Sequence, residues 1–435
     1  MCRTQTVHPT SDTDNAYGIA SSTSIGELFR QWGQRYISIY KPCKQHIKLI
    51  NAIRVCRTPA LGGIVYTCSG CGAQHFVYKS CGHSHCMLCQ SIKREQWMDK
   101  LNQRLLKVPY IHTTFTIPHH LNGLFRMNQK VLYGALMKAC WQTIKALSSP
   151  QDFLPGMTCV LHTFGSDMKY HIHVHALITL GGVNHTGQWE YPHKKNKIAS
   201  YRSLCATFKN QMLTQIRKLK QSDQLSYHRP LDELLREVEK VRWVVHSTRP
   251  TMDTKVIQTY LARYINRTAI SPSRLHYLHE QHEVHLIYND YKNQQSGCPA
   301  PKASKTMHPL VAIQQILQHT LPLYFNKCRH YGIHQYTTKQ RKNISSQLIN
   351  HGAIIRTVFE ILRQLLKLDV FVCHHCGSID FDKEAIPEDP DYLYTYLQNK
   401  APPNINTLHT GRSSNPALNS IAQNTAPSTI DPTIK

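Results

Sequence analysis

Residues 169–182, "KYHIHVHALITLGG", alternate three histidines with Ile172, Val174 and Ala176 before running on into Leu177, Ile178 and Leu180. Alternation with a period of two belongs to a strand, in which His171, His173 and His175 share one face while the apolar set turns into a core. A chain that carries this segment must build a sheet with one face covered by apolar elements and imidazoles on the other. Same-face neighbours are about 6.7 Å apart, which separates the outer two histidines by about 13 Å, so one ion can hold neighbours but not all three. His173 and His175, deeper in the strand, are the preferred ligand pair; His171 is the alternative.

A second constraint lies upstream, in "CRTPALGGIVYTCSGCGAQHFVYKSCGHSHCMLCQ". Cys68/Cys71 and Cys86/Cys89 are two C-x2-C pairs separated by 14 residues. Zinc takes four ligands at tetrahedral corners, and two such knuckles each deliver a pair of thiolates from a tight turn. Gly70 and Gly72 beside Cys71 supply permissive backbone. The expectation is a structural zinc site of Cys68, Cys71, Cys86 and Cys89. Cys56, Cys81, His75, His83 and His85 lie in the same stretch and can replace a ligand or complete a second site, Cys81 and His85 being the nearest substitutes. Cys373 and Cys376, in "FVCHHCGS", are half a site that needs another ligand pair, or a knuckle without metal.

The sequence shows neither a secretory leader nor a run of about 20 apolar residues, so it is read as intracellular and its 15 cysteines as metal ligands rather than a disulfide framework. Lys and Arg number 51 against 26 Asp and Glu, a formal charge of +25, and such a field attracts polyanions, nucleic acid first among them.

Strands interleaved with helices, some strands close enough in sequence to be antiparallel neighbours, indicate an α+β or α/β sandwich, of which α+β is the fold class expected. Residues 1–24 and 400–435 are polar and aperiodic and are expected to be disordered. Residues 25–105 hold two helices broken at Pro42, the cysteine cluster and a charged helix, and are assigned to a zinc-binding module. Residues 106–290 form the sheet-bearing domain, and residues 291–399 a helical region containing the last C-x2-C pair. There is no internal repeat.

The segment "VIQTYLARYINRTAIS" carries the remaining chemistry. On a helix Tyr260 and Tyr264 stack at i and i+4, with Arg263 and Arg267 beside them, while Val256, Ile257, Leu261 and Ile265 lie largely on the opposite side. A tyrosine hydroxyl with a pKa near 10 is a poor nucleophile by itself, but a divalent cation polarises the phosphate it attacks. Histidine pair, metal, tyrosines and arginines together describe a site that cuts phosphodiesters. Lys255, Arg263, Arg267 and Arg274 are the candidate phosphate contacts.

The cysteine knuckles from "CRTPALGG" to "HCMLCQ", then "PYIHTTFTIPHHLN", "VLHTFGSDMKYHIHVHALITLGG", "YLARYINRTAIS" and "HTLPLYFNKCRHYG", in this order, resemble the two-tyrosine HUH transposases of rolling-circle insertion sequences, the insertion-sequence-ninety-one family. The likeness runs from about residue 45 to 376. It implies an N-terminal zinc-binding domain, an HUH nuclease domain built on an antiparallel sheet flanked by helices, and a helical C-terminal region. Carried over residue by residue, the HUH histidines fall on His173 and His175 and the tyrosine pair on Tyr260 and Tyr264. The implied cofactors are structural Zn2+ and a catalytic Mg2+ or Mn2+; the implied partners are single-stranded ends of a mobile element and target DNA. The implied setting is the bacterial cytoplasm, at the nucleoid and without a membrane. The chain departs from the family pattern at Met87, where proline is usual, and at Gly82 and Ser84, where arginine is usual.

Two readings of related chemistry or surface compete: a plasmid replication initiator or relaxase, and a non-catalytic zinc-finger DNA-binding protein. A zinc hydrolase on the histidine strand ranks last, for want of H-E-x-x-H or a comparable third-ligand motif.

Overall fold

The computed structural model describes residues 24–400 apart from 104, 194–195, 254–255, 258–268, 296–297, 337–347, 349–354 and 367–371. The two terminal segments expected to be disordered fall outside the described residues, Ser24 and Lys400 excepted.

The chain opens with α1 (Ser24–Tyr40) and α2 (Lys44–Val55), separated at Pro42 as the sequence predicts. Ile25, Leu28, Phe29, Trp32 and Tyr36 recur at three- and four-residue intervals along α1 and are all buried, the spacing of one helix face. The hairpin β1 (Gly63–Cys68) and β2 (Gln74–Tyr78) follows, then α3 (Gln90–Asn102). Next come β3 (Tyr110–Thr116), α4 (Asn122–Met127), α5 (Gln129–Ser148), β4 (Leu154–Phe164), β5 (Tyr170–Val183) and β6 (Trp189–Glu190). The run continues with α6 (Tyr201–Gln221), α7 (Leu231–Lys240), β7 (Val244–Ser247), β8 (Leu275–Leu278), β9 (Glu283–Asn289), β10 (Lys302–Met307) and α8 (Pro309–Leu317). It ends with β11 (Cys328–Gly332), α9 (Val358–Leu366), β12 (Phe381–Ile386) and α10 (Tyr392–Lys400).

Among the described residues the largest sheet has the order β11-β4-β5-β3-β7, with β6 paired to β5, and every pairing is antiparallel. Its two faces are chemically distinct. Ile172, Val174, Ala176 and Ile178 of β5, Phe115 of β3, Leu161 and Cys159 of β4 and Val245 of β7 are buried with Leu136 and Cys140 of α5, Phe208 and Met212 of α6 and Leu235 of α7. The opposite face carries His162, His173 and His175. At the far end Gly332 has φ +57°, and a Cβ there would run into the Pro155 carbonyl oxygen, so glycine lets β11 close against β4.

The fold is α+β, with the cysteine-rich region first and an antiparallel sheet flanked by helices after it. Two expectations need correction. The stretch 291–399 is not simply helical, because it contributes β10, β11 and β12. Nor is the first stretch a self-contained packing unit: Trp32 Nε1 donates to Tyr277 Oη at 2.8 Å, Tyr277 Oη donates to Gln31 Oε1 at 2.7 Å, and α1 and α2 share one core with β8, β9 and α8. Part of the apolar face of α1 is thus covered by residues more than 240 positions later, a pairing that local periodicity cannot reveal. Likewise β12 adds to β1, giving the sheet order β12-β1-β2. No helix among the described residues is long and apolar enough to cross a membrane.

Candidate metal centres

Three groups of metal-ligating side chains occur among the described residues, and each has its ligand atoms within 4.8 Å of one another. The first is His162, His173 and His175. Antiparallel register sets it up: His173 pairs with His162 of β4, and His175 pairs with Val160 of β4 on one side and Thr114 of β3 on the other. Direct cross-strand partners project to the same face, so two strands deliver three imidazoles to one spot. His173 Nδ1 lies 3.0 Å from the His171 carbonyl oxygen. A carbonyl only accepts, so Nδ1 carries the hydrogen and Nε2 keeps its lone pair. That Nε2 is 3.1 Å from His175 Nε2, close to the roughly 3.0 Å between two ligands at right angles and about 2.1 Å from one ion. The three histidines therefore fit a divalent cation.

The far nitrogen of His175 is also held, with His112 Nε2 at 3.1 Å and Thr114 Oγ1 at 3.2 Å from Nδ1. Fixing the non-ligating nitrogen sets the tautomer and the ring plane. Burial, with His246 as a second cause, pushes the His112 pKa down to about 4, so His112 is neutral near pH 7 and adds no cation beside the centre.

The eight cysteines of the other two groups do not pair as the spacing suggests. Cys68 and Cys71 meet Cys373 and Cys376, whereas Cys86 and Cys89 meet Cys56 and Cys81. In the first set Cys68 Sγ is 3.5 Å from Cys376 Sγ and Cys71 Sγ is 3.7 Å from Cys373 Sγ; in the second, Cys81 Sγ is 3.8 Å from Cys89 Sγ. Four sulfurs at about 2.3 Å from a tetrahedral zinc lie about 3.8 Å apart, so both sets fit that ion. The reason for the altered pairing is topological. Cys86 and Cys89 sit where α3 begins and are packed into the core beneath α2, which ends at Cys56, while Cys68 closes β1, whose partner β12 follows directly on the knuckle of Cys373 and Cys376.

His85, a suggested substitute ligand, accepts the Leu321 amide at Nε2 over 3.1 Å and belongs to neither thiol set; Cys81 does belong to one. Arg274, expected at a phosphate, directs Nε to the Ile287 carbonyl oxygen at 2.9 Å and a second nitrogen to that of Ser166, so it braces β9 against the β4–β5 turn. Tyr260, Tyr264, Lys255, Arg263 and Arg267 lie outside the described residues. Ile257, just ahead of the tyrosines, is buried in one cluster with Val160 and Leu177, the residues that flank His175 across and along the sheet. His162 is the member of this candidate centre missed by sequence reasoning. It lies in "VLHTFG" without a histidine partner at i±2, and only the β4–β5 register reveals it.

A family model described as a putative transposase matches residues 156–342, and one described as a transposase zinc-binding domain matches residues 28–117. A putative transposase of Sinorhizobium fredii, y4qJ, is 28% identical over 325 residues, covering 72% of this chain and 80% of that protein. The transposase for insertion sequence element IS801 of Pseudomonas savastanoi pv. phaseolicola is 25% identical over 351 residues, covering 76% of this chain and 82% of that protein. No solved structure matches the chain. The first match contains all three clustered histidines and the second contains Cys56, Cys68, Cys71, Cys81, Cys86 and Cys89. The chain belongs to the insertion-sequence-ninety-one family of zinc-binding transposases.

Proposed function

We propose that this transposase cuts and rejoins single strands of DNA through 5′-phosphotyrosine esters, with Tyr260 and Tyr264 as nucleophiles, in rolling-circle transposition. The observation that carries the reading is the convergence of His162, His173 and His175 on the sheet face opposite the main core. The burial of Ile257 against that same face supports it, because the tyrosine segment begins there. So does the net charge of +25, which favours a polyanionic substrate.

When bound, a divalent ion on the three histidines polarises the scissile phosphate and offsets its developing charge. Three imidazoles suit Mn2+ better than Mg2+, which prefers oxygen donors. The tyrosine oxygen forms a bond to phosphorus, the P–O3′ bond breaks, and the departing 3′ oxygen takes up a proton. In the reverse sense a free 3′ hydroxyl of another strand attacks the ester, the P–O bond to tyrosine breaks, and the tyrosine regains its proton. Each exchange conserves one phosphodiester-like bond and needs no nucleotide cofactor. Two tyrosines let one hold a 5′ end while the other reacts.

His162 also supplies the third ligand that a zinc hydrolase would require, so the test must see the covalent step itself. Incubating the protein with labelled single-stranded DNA from the element's own ends and Mn2+ should give a protein–DNA adduct that resists denaturation. His173→Ala with His175→Ala should abolish it while leaving charge-driven DNA binding. Cleavage with no adduct at any time point would point to hydrolysis instead.

A further inference from the structure

The pair Cys373 and Cys376 lies outside both stretches matched by the family models. Its surroundings mirror those of Cys68 and Cys71. Each knuckle reads C-x2-C-G, and each glycine takes a left-handed backbone, φ +72° at Gly72 and +78° at Gly377. Each glycine amide donates to the carbonyl of the first cysteine, Gly72 to Cys68 at 2.8 Å and Gly377 to Cys373 at 2.7 Å. The knuckles face one another because β1 pairs with β12 from Gly63↔Ile386 to Cys68↔Phe381, and the Ser69 amide extends the pairing to the Asp380 carbonyl oxygen at 3.1 Å. Neither knuckle alone offers more than two thiolates, and a closed zinc shell takes four. The sulfur separations of 3.5 and 3.7 Å suit zinc and are far beyond the roughly 2.05 Å of a disulfide.

We propose that the chain holds two independent structural zinc ions, and that the second, on Cys68, Cys71, Cys373 and Cys376, staples the β12 segment to the N-terminal hairpin across about 300 residues of intervening chain. Four thiols release their protons to solvent as this ion binds. The two centres differ in exposure. Cys56, Cys86 and Cys89 are buried, whereas Cys71 and Cys376 are exposed, so a chelator reaches the stapling ion first. The proposal does not depend on the strand-transfer reading, and its test involves no DNA.

Elemental analysis of the full-length, reduced protein should give two zinc ions per chain, and Cys373→Ser with Cys376→Ser should give one. Cys86→Ser with Cys89→Ser should lose the other ion, and if that variant fails to fold, the wild-type protein still answers the question by itself. Challenged with a chromophoric zinc chelator, wild-type protein should release one equivalent at least tenfold faster than the other, and the fast equivalent should be missing from the Cys373→Ser/Cys376→Ser protein. One zinc per wild-type chain, two zinc ions retained after the Cys373/Cys376 change, or loss of free thiols at those positions to disulfides in the purified reduced protein would each overturn the proposal.

Discussion

His162 of β4 and His173 of β5 are direct cross-strand partners, with ring centroids 5.3 Å apart and planes at 86°. A register shift immediately follows, between His162 and Phe164. Such irregularities turn a side chain relative to its ladder, and here the edge-on pair leaves room for His175 to join from the same strand as His173. The centre is a product of register and not of any one segment.

Loss of His162 should therefore impair the chemistry without harming DNA capture. His162→Ala should lower metal-dependent cleavage by at least about 100-fold, since even outer partners of metal ligands are commonly worth 10–100-fold. Affinity for single-stranded DNA, followed by fluorescence anisotropy without metal, should stay within about twofold because the substitution leaves the lysines and arginines that attract the polyanion in place. Unchanged cleavage would take His162 out of the centre.

Thr114→Val keeps the side-chain shape but removes the hydroxyl 3.2 Å from His175 Nδ1. Mn2+ affinity, read by titration of the free-ion magnetic resonance signal, should fall by about tenfold. The partial effect reflects His112, which holds the same nitrogen at 3.1 Å.

The alternation in 169–182 was enough to place a strand, its two faces and the His173/His175 pair, because those properties follow from local periodicity. Long-range pairings were not: β1 with β12, α1 with β8, and β4 with β5 depend on contacts between distant stretches, and the division of the eight cysteines and the role of His162 depend on those pairings. Arg274 looked like a phosphate ligand because charge in a sequence carries no direction, whereas in the fold its guanidinium is taken up by two carbonyl oxygens.

Arg274→Ala should accordingly act on stability. Hydrogen bonds from a charged donor contribute about 1.5–3 kcal/mol, and denaturant unfolding should show a loss of roughly that size, reduced by partial solvent exposure. DNA affinity should change by less than about twofold; a large affinity loss in a protein of wild-type stability would restore the phosphate role.

Acid should weaken the fold through His319. Burial holds its pKa down to about 4, against 6.5 for an ordinary histidine, with the Met168 carbonyl oxygen opposing the shift only in part. Between these values the unfolded chain binds the proton and the folded chain does not, so the stability is full above about pH 6.5 and is lost as pH falls towards 4. The slope from this one group is at most about 1.4 kcal/mol per pH unit. His319→Gln should flatten the pH dependence of the urea midpoint over that window; an unaltered slope would show that His319 does not contribute.

Peptide mapping of the covalent DNA adduct tests the central claim most directly. Wild-type protein is trapped on a single-stranded end in Mn2+, digested with nuclease and protease, and sequenced by mass spectrometry. The account predicts a nucleotide phosphate on Tyr260 or Tyr264 and no adduct in the Tyr260→Phe/Tyr264→Phe protein. A nucleotide on any other residue, or an adduct formed at the wild-type rate by the double variant, would contradict it.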